Sequence, residues 1–358
     1  MTDPRIKKLA EILVDYSIAV KPENKVVISC SSPLGLPLAR ECWQQVLLKK
    51  AYPHLSLDVE DLTSFYFKKA TQKQLKKFPE ISEFEARWAD KTISIGVQEV
   101  LKLLSNIDSK RITTRVKVTD PIKKIILKKP WVITYYPTPA MAKDAKLSGK
   151  EMKDFYFQAC LIDWVEEKKK IMRLKKTLDN ANLVQVIGQD TNLKFSLKNR
   201  LSCASDGRFN MPDGEVFVAP LVTTVEGRIY FDFPNSCYGK KVKDIRLEFK
   251  KGKVVKYSAS LNQNALKKVL AADAGARKVG EFAIGTNYGI KNFMNNTLFD
   301  EKIGGTVHLA LGSSHIEKEG GGKNQSAIHW DLVKDTRKKG SKVIVDGKTV
   351  LKDGKILV

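Results

Sequence analysis

The chain has 358 residues, 42% of them hydrophobic, and its 63 lysines and arginines exceed its 40 aspartates and glutamates by a formal net charge of +23. This composition excludes an intrinsically disordered chain, and no apolar run reaches the roughly 18 residues that a membrane-spanning helix needs. The length favours two domains. Because the polar N-terminus lacks the apolar core of a secretory signal, we expect a cytoplasmic protein.

The strong positive charge raises the question of nucleic-acid binding. Only twelve of the basic residues are arginine, and the lysines are spread over the whole length of the chain. A dedicated nucleic-acid surface would concentrate its charge, include more arginine and interleave aromatic side chains for stacking. The pattern therefore argues against nucleic acid as a partner and indicates a solvated, lysine-rich surface. The five cysteines lack a CxxC pair, which predicts reduced thiols rather than a thiolate zinc site.

The first predicted elements alternate between helix and strand. Apolar residues at helical spacing predict an amphipathic helix over 4–20, with Asp3 as its N-cap. A buried strand over 25–30, a helix through 38–48 and a second strand over 51–59 follow. Strand, helix and strand at this spacing predict a parallel α/β unit.

The pattern continues through the next hundred residues. Residues 81–88 and 98–104 are predicted to be helical, with a strand over 92–96 between them. A clearer strand over 131–136 is closed by prolines, which cannot continue a ladder, and a helical stretch over 150–177 follows. No glycine-rich phosphate fingerprint follows any of these strands, so this α/β half is no evidence for a nucleotide.

After residue 182 the pattern becomes rich in strands. We predict strands over 183–187, 193–197 and 228–233, hairpins over 245–257 and 342–358, and one helix over 262–270. The sequence thus predicts an α/β N-terminal domain, residues 1–182, built on a parallel sheet flanked by helices. A strand-rich α+β domain, residues 183–358, follows and carries every candidate ligand.

Three of the four histidines lie close together in this second half: His308, His315 and His329. Imidazole and carboxylate groups together form the ligand set that zinc or cobalt prefers. In an extended segment, residues two apart share a face, so His329 and Asp331 should point into one pocket while Trp330 packs on the other side. His54, the remaining histidine, is interpreted as a structural or surface residue.

Two glutamates extend this candidate set. Glu215 and Glu281 each follow a glycine and lead directly into an apolar strand, where burial of a carboxylate without a partner would be costly. Each alone is equally an edge carboxylate that is solvated or caps a turn, but together they would suit bridging between two cations. His308 shares a strand face with Ala310 and Gly312, whose small size leaves space beside the imidazole.

These segments in combination resemble the aminopeptidase T / aminopeptidase S family of dinuclear metallopeptidases. The similarity is carried by residues 212–217, 280–281, 297–301, 308–312 and 326–331, and the opening of the chain also resembles the N-terminus of that family. Most of the chain is covered. The motifs are specific in combination, and individually only His329-x-Asp331 and the Glu215 segment are informative.

The resemblance implies a pair of divalent ions, zinc or cobalt ahead of manganese or magnesium. The implied ligands are Glu215, Glu281, His308, His329 and Asp331. It assigns catalytic places to two further residues. Glu301, otherwise readable as a surface charge, would transfer a proton or bind the free amino terminus of the substrate. His315 stands where the family carries a tyrosine that helps to stabilise the tetrahedral intermediate, and an imidazole there would add a pH dependence that a phenol lacks.

The implied function is that of a cytoplasmic metal-dependent aminopeptidase that releases N-terminal residues from oligopeptides through a dinuclear metal centre and a metal-activated water. The family further implies a homodimer, with the N-terminal domain serving dimerisation and restricting access to the site. Two alternatives stay open. One is another metal-dependent amide or ester hydrolase, and the other is a lysine-rich nucleic-acid-binding protein with a degenerate site.

Overall fold

The computed structural model describes residues 3–104, 107–237, 240–294, 296–315 and 318–358, and its chain divides into two units. The first consists of Met1–Leu161 with Gly207–Pro212, and the second of Ile162–Asp206 with Asp213–Val358. The division falls after residue 161, whereas the sequence analysis placed the end of its first domain at residue 182. The predicted class, an α/β part followed by a strand-rich α+β part, is confirmed.

The first unit is built on a five-stranded parallel sheet with the order β2-β1-β3-β4-β8. Its strands are β1 (Lys25–Cys30), β2 (Tyr52–Leu57), β3 (Lys91–Gly96), β4 (Trp131–Tyr135) and β8 (Asn210–Met211). The β-branched run of β1 is almost wholly buried, as expected for a central strand covered on both faces. The four strands that the sequence predicted in this half are all present.

Nine helices accompany this sheet among the described residues. They are α1 (Pro4–Glu11), α2 (Leu36–Leu48), α3 (Glu60–Lys69), α4 (Gln72–Lys76), α5 (Glu80–Trp88), α6 (Gln98–Leu104), α7 (Ser109–Leu127), α8 (Pro139–Ala145) and α9 (Gly149–Cys160). The predicted opening helix over 4–20 is shorter than expected, because α1 passes into a π-helical turn at Ile12–Ser17. A 3-10 turn at Pro33–Gly35 precedes α2.

Two helical predictions differ from the structure. The stretch over 150–177 is not continuous: α9 ends at Cys160 and a new helix, α10 (Trp164–Asp179), begins after Asp163. The Asp163 carboxylate accepts hydrogen bonds from the first backbone amides of α10, which marks a true helix start. The long helix α7 escaped prediction because it contains Pro121 and buries only Ile122, so it shows no apolar stripe.

The second unit combines α10 with antiparallel sheets of eight, five and two strands, in the orders β14-β13-β10-β6-β5-β18-β19-β20, β17-β16-β15-β9-β7 and β11-β12. The strands are β5 (Leu183–Gly188), β6 (Thr191–Ser196), β7 (Cys203–Ser205), β9 (Glu215–Val218), β10 (Glu226–Phe231), β11 (Asn235–Cys237), β12 (Lys240–Val242), β13 (Ile245–Lys250), β14 (Lys253–Ser258), β15 (Val279–Gly285), β16 (Val307–Gly312), β17 (His329–Lys334), β18 (Lys342–Val345), β19 (Lys348–Lys352) and β20 (Lys355–Ile356). Two helices, α11 (Gln263–Leu270) and α12 (Thr297–Asp300), and a 3-10 turn at Val222–Thr224 complete it.

One apolar core serves this unit and is formed by the larger two sheets with α10 and α11. Phe195 of β6 and Phe282 of β15 meet in it, with ring centroids 4.8 Å apart, and both side chains are fully buried. Because the five-stranded sheet gives one face to this core, its other face is left for polar groups. Across the described residues, no helix has the length and apolar character required to cross a membrane.

Candidate metal centre

The five-stranded sheet separates core residues from candidate ligands by the alternation of its side chains. Phe282, Leu309 and Leu332 lie side by side on β15, β16 and β17 and belong to the core. Their neighbours along each strand point to the opposite face. Those neighbours include Glu281 on β15, His308 on β16 and Asp331 on β17.

Small residues lie opposite several of the candidate ligands. Ala310 lies directly opposite both Glu281 on one side and Asp331 on the other, and Gly312 lies opposite His329. A larger side chain at Ala310 would fill the space into which both carboxylates point. The strand register therefore brings these groups together around an open volume.

The buried His308 and the more exposed His329 are both oriented by their Nδ1 atoms. His308 Nδ1 lies 3.2 Å from the Glu301 carbonyl oxygen, and His329 Nδ1 lies 2.7 Å from the Ser313 carbonyl oxygen. Since a carbonyl can only accept, each Nδ1 carries the proton and donates it. In the neutral rings this leaves the Nε2 lone pair free for a metal, the arrangement that metal-binding histidines usually show.

The first of two ligand clusters consists of Glu281, His308 and Asp331. Glu281 Oε1 lies 3.0 Å from His308 Nε2, and Asp331 Oδ1 lies 3.9 Å from the same nitrogen. Glu215 Oε2 approaches that nitrogen to 3.6 Å. His308 and Glu281 are almost completely buried, so this cluster is enclosed by protein.

The second cluster consists of Glu281, His315 and His329 and is more exposed. Glu281 Oε2 lies 3.3 Å from His315 Nε2, and His329 Nε2 lies 3.3 Å from Asp331 Oδ1. Glu281 thus belongs to both clusters and presents one oxygen to each. A carboxylate so placed is able to contribute one oxygen to a cation site in each cluster.

The acceptor atoms of the site indicate that the protein alone does not complete it. One oxygen each of Glu215, Glu281 and Asp331 is buried and accepts no hydrogen bond within the described part of the chain. Leaving a buried charged acceptor unsatisfied costs about 1–3 kcal/mol or more. Carboxylate and imidazole groups are suitable ligands for a divalent cation, which would satisfy all three oxygens at once. The residues present therefore fit a metal centre.

Lys302 is a component of the site that the sequence analysis missed. Its ammonium group is 1% exposed, donates to Glu215 Oε1 at 2.7 Å and also pairs with Glu301. A single lysine carries no signal in a chain with so many lysines, and only its position next to Glu301 could have suggested a role. Lys302 fixes the two glutamates that flank the ligand clusters.

The carboxylate pKa values of the site shift in different directions, because burial raises them and contacts with cationic groups lower them. Burial raises the pKa of Glu215 to about 8 although the nearby Lys302 opposes this. The pKa of Glu301 is also raised by burial. Burial alone would raise the pKa of Glu281, but the contacts with His308 and His315 hold it well below the usual range. Glu281 is therefore the carboxylate that stays ionised.

The pKa values of His308 and His329 are raised, whereas burial without a partner would lower the pKa of an imidazole. Burial opposes a charge on His308, but the hydrogen bond to Glu281 and the surrounding carboxylates raise its pKa to about 9. For His329 the contact with Asp331 outweighs burial and raises the pKa to about 10. In the metal-free protein both rings thus hold a second proton at neutral pH, and a metal must displace it.

A cavity of about 190 Å³ opens beside the second cluster. Its lining includes the apolar Pro234, Phe293 and Val333 together with Glu301, His329 and Asp331. Trp330 packs against the core, as predicted, and its ring nitrogen donates to Asn235 Oδ1 at 2.6 Å. The Asn235 side chain in turn donates to the Asp331 carbonyl, so this pair fixes the start of β17.

All seven residues singled out from the sequence lie at this site, and their roles stay predictions. The five expected ligands, Glu215, Glu281, His308, His329 and Asp331, surround one volume, and Glu301 lies on the wall of the cavity. His315 lies beside Glu281, with Nε2 3.3 Å from Oε2. His54 does not belong to the site, because it sits on β2 of the other unit, where it is half exposed and pairs with Glu85.

Sequence comparisons identify relatives over the full chain. The family model described as thermophilic metalloprotease (M29) matches residues 2–356. Aminopeptidase 2 of Geobacillus stearothermophilus is 26% identical, with 99% of this chain and 95% of that protein covered. Aminopeptidase T of Thermus aquaticus is 32% identical over 161 residues, which cover 40% of this chain and 37% of that protein.

Two solved structures share the fold. Wild-type AmpT from Thermus thermophilus superposes with a TM-score of 0.81 at 22% identity and covers 99% of both chains. A 2,5-dihydroxypyridine dioxygenase from Pseudomonas putida KT2440 superposes with a TM-score of 0.65 at 14% identity, covering 99% of this chain and 97% of that one. Since a dioxygenase carries the same architecture, the fold alone does not determine the reaction.

Proposed function

The chain belongs to the thermophilic metalloprotease (M29) family and is a metalloaminopeptidase, and from that premise we propose that it releases N-terminal residues from oligopeptides with a pair of divalent metal ions. The observation that carries the proposal is the position of Glu281 between two ligand clusters, with one carboxylate oxygen facing each. A site for a single ion would need only one of these clusters.

The proposed ligands are Glu215, Glu281, His308, His329 and Asp331. When bound, the ions would polarise the scissile carbonyl and lower the pKa of an attacking water. The carbonyl groups that fix both Nδ1 atoms would leave the Nε2 atoms of His308 and His329 available to hold the ions. Zinc and cobalt suit this mixture of nitrogen and oxygen donors best, and manganese or magnesium are the less suited candidates.

Glu301 is proposed to move the proton. Its side chain is only 16% exposed, lies on the cavity wall and is anchored by Lys302. Because burial raises the pKa of Glu301, it can take a proton inside the site and deliver it to the leaving amine, as a general base that then acts as general acid. Lys302 keeps the carboxylate in place during both transfers.

The cavity beside the second cluster is proposed to receive the first side chain of the substrate. Pro234, Phe293 and Val333 contribute apolar surface to a lining that is otherwise mainly polar, and the Phe293 ring is fixed by stacking on Phe233 at 4.7 Å. As part of the proposal, the protein is a cytoplasmic homodimer whose N-terminal domain limits access to short peptides.

The decisive experiment compares free and blocked substrates. Leucine and methionine p-nitroanilides are incubated with the metal-free chain after addition of cobalt or zinc, alongside their N-acetylated forms and a phosphoester. Release of p-nitroaniline from the free amines alone is expected. Hydrolysis of only the blocked or phosphoester substrates would instead favour another metal-dependent hydrolase.

A further inference from the structure

We propose that His315 is itself a metal ligand, so that this chain holds its second ion with Glu281, His329 and His315. The family that this chain resembles carries a tyrosine at this position. The inference rests on the proposed pair of ions. It assigns to His315 a different role from that tyrosine, which acts on the reaction intermediate.

The separation of the ligand atoms fits a shared ion. His315 Nε2 and Glu281 Oε2 are 3.3 Å apart, and these atoms lie with a ring nitrogen of His329 within 4.8 Å of one another. Two ligand atoms that each lie about 2.1 Å from a tetrahedral zinc are about 3.4 Å from each other. The observed separation is therefore the edge expected for a coordination tetrahedron.

A direct hydrogen bond explains the same contact less well. Charge-assisted N–H···O bonds to a carboxylate usually span about 2.7–2.9 Å. Glu281 Oε2 is buried yet accepts no hydrogen bond from any residue that the structure describes. His315 Nε2 at 3.3 Å thus stands beside this oxygen without satisfying it, whereas an ion between the two would satisfy the Glu281 oxygen.

The backbone around His315 holds the ring in this position. Gly312 ends β16 with φ at +100°, a backbone conformation that residues other than glycine rarely adopt. The Asn324 side chain donates to the Gly312 carbonyl at 2.6 Å, and the Gly322 amide donates to the His315 carbonyl at 2.8 Å. The Phe217 ring lies against the imidazole with centroids 5.0 Å apart.

With His315 included, each ion would have at least three protein ligands. The buried cluster has Glu281, His308 and Asp331 with Glu215 beside them, and the exposed cluster has Glu281, His329 and His315. The His315 side chain is 48% exposed, so the second ion would be open to solvent on one side, as an ion with three protein ligands and an exchangeable fourth position must be. The imidazole would then hold the metal rather than donate a hydrogen bond from Nε2.

The test is a cobalt titration of the full-length chain after removal of metal, followed by visible absorption and calorimetry. The wild type is expected to bind two cobalt ions. In His315→Ala and His315→Tyr, one ion should bind at least about tenfold more weakly with a changed absorption band, while the other keeps its affinity. His54→Ala is the matched control, since it removes the only histidine outside the site and should change neither ion.

X-ray absorption of the zinc-loaded wild type gives a second reading that needs no variant. Three imidazoles over two ions are expected, and two would overturn the proposal. Unchanged affinity for both cobalt ions in folded His315→Ala would overturn it as well, as would a wild type that binds fewer than two ions. A wild type that binds two ions but fails to cleave aminoacyl p-nitroanilides would contradict the aminopeptidase activity, while the His315 result still stands on its metal binding.

Discussion

Two clusters of buried charge lie in the second unit, and they are completed in different ways. In the Asp232 cluster, one carboxylate oxygen of Asp232 accepts hydrogen bonds from the fully buried Lys334 at 2.8 Å and from the Asp335 amide at 3.1 Å. Its other oxygen pairs with Lys338. Every oxygen of this cluster has a protein partner, as a structural ion pair requires.

The Glu281 cluster, which includes all the candidate ligands, contains carboxylate oxygens that no described protein group satisfies. Lys302 serves one oxygen of Glu215, but the other oxygen of that carboxylate is buried without a donor among the described residues, as is one oxygen of Asp331. Strand β17 contributes to both clusters, with Asp331 near its start and Lys334 at its end. The contrast teaches that buried charge by itself does not indicate a metal site, whereas several unsatisfied carboxylate oxygens gathered around histidines are a reason to propose one.

The largest expected effect follows from removing the carboxylate of Glu281, which is proposed to contact both ions. Glu281→Gln keeps the shape of the side chain but should abolish binding of at least one ion. Loss of the metal removes several kcal/mol of transition-state stabilisation, which corresponds to a fall in kcat/KM of about 10³-fold or more. Steady-state rates on leucine p-nitroanilide and the cobalt content measure this, and a variant that keeps both ions and full activity would contradict the shared position of Glu281.

Substitutions in the Asp232 cluster should change the stability of the protein rather than its activity. Lys334→Met leaves Asp232 buried without its main partner and is expected to lower the free energy of unfolding by about 3–5 kcal/mol. The metal content of the folded protein should not change, because Lys334 touches no proposed ligand in the described chain. Urea unfolding at neutral pH provides the measurement, and Asp232→Asn combined with Lys334→Met should recover part of the loss.

Metal should stabilise the protein increasingly as pH rises. The folded pKa values of His308, about 9, and Glu215, about 8, lie above their ordinary values, so these groups stabilise the metal-free fold at low pH and lose that contribution as pH rises through the folded pKa. Metal must displace the same protons and therefore binds better at high pH. At a hundredfold excess over Kd, saturation adds about 2.7 kcal/mol.

Melting temperatures with and without zinc, at pH 6 and pH 8.5, give the comparison. The difference between the two forms should grow toward pH 8.5. A zinc effect of equal size at both pH values would contradict proton displacement from the ligands. His54→Ala again serves as the control, because its ring lies in the other unit.

The sequence singled out the candidate ligands that meet in the incomplete cluster but not the partners that organise them. His329 and Asp331, two apart on a strand, and His308, two before Ala310, follow the alternation of a β-strand, which is a local property. Lys302 meets Glu215 across 87 positions of chain, and no local pattern encodes such a contact. Long-range pairing through loops was therefore the part that sequence could not supply.

The same distinction applies to the fold. The apolar run at 25–30 predicted β1 with its observed ends, because a strand buried on both faces is continuous in hydrophobicity. Helix α7 was missed because it buries little and tolerates Pro121 within it. The Asp232 and Lys334 pair was missed for the reason that applied to Lys302: a lysine in this chain carries no signal until its burial is known.

The smallest expected effect separates the two lysines that serve Asp232. The Lys338 side chain is 49% exposed, so water can replace it when it is removed, whereas Lys334 is fully buried. Lys338→Ala should therefore lower the free energy of unfolding by no more than about 1 kcal/mol, the usual range for an exposed pair. The loss should shrink further at high salt, since exposed pairs are screened. Urea unfolding of Lys338→Ala beside Lys334→Met measures the difference. Equal losses would mean that Asp232 depends on both lysines. The Asp232 cluster would then be incomplete without either lysine, as the Glu281 cluster is proposed to be incomplete without metal.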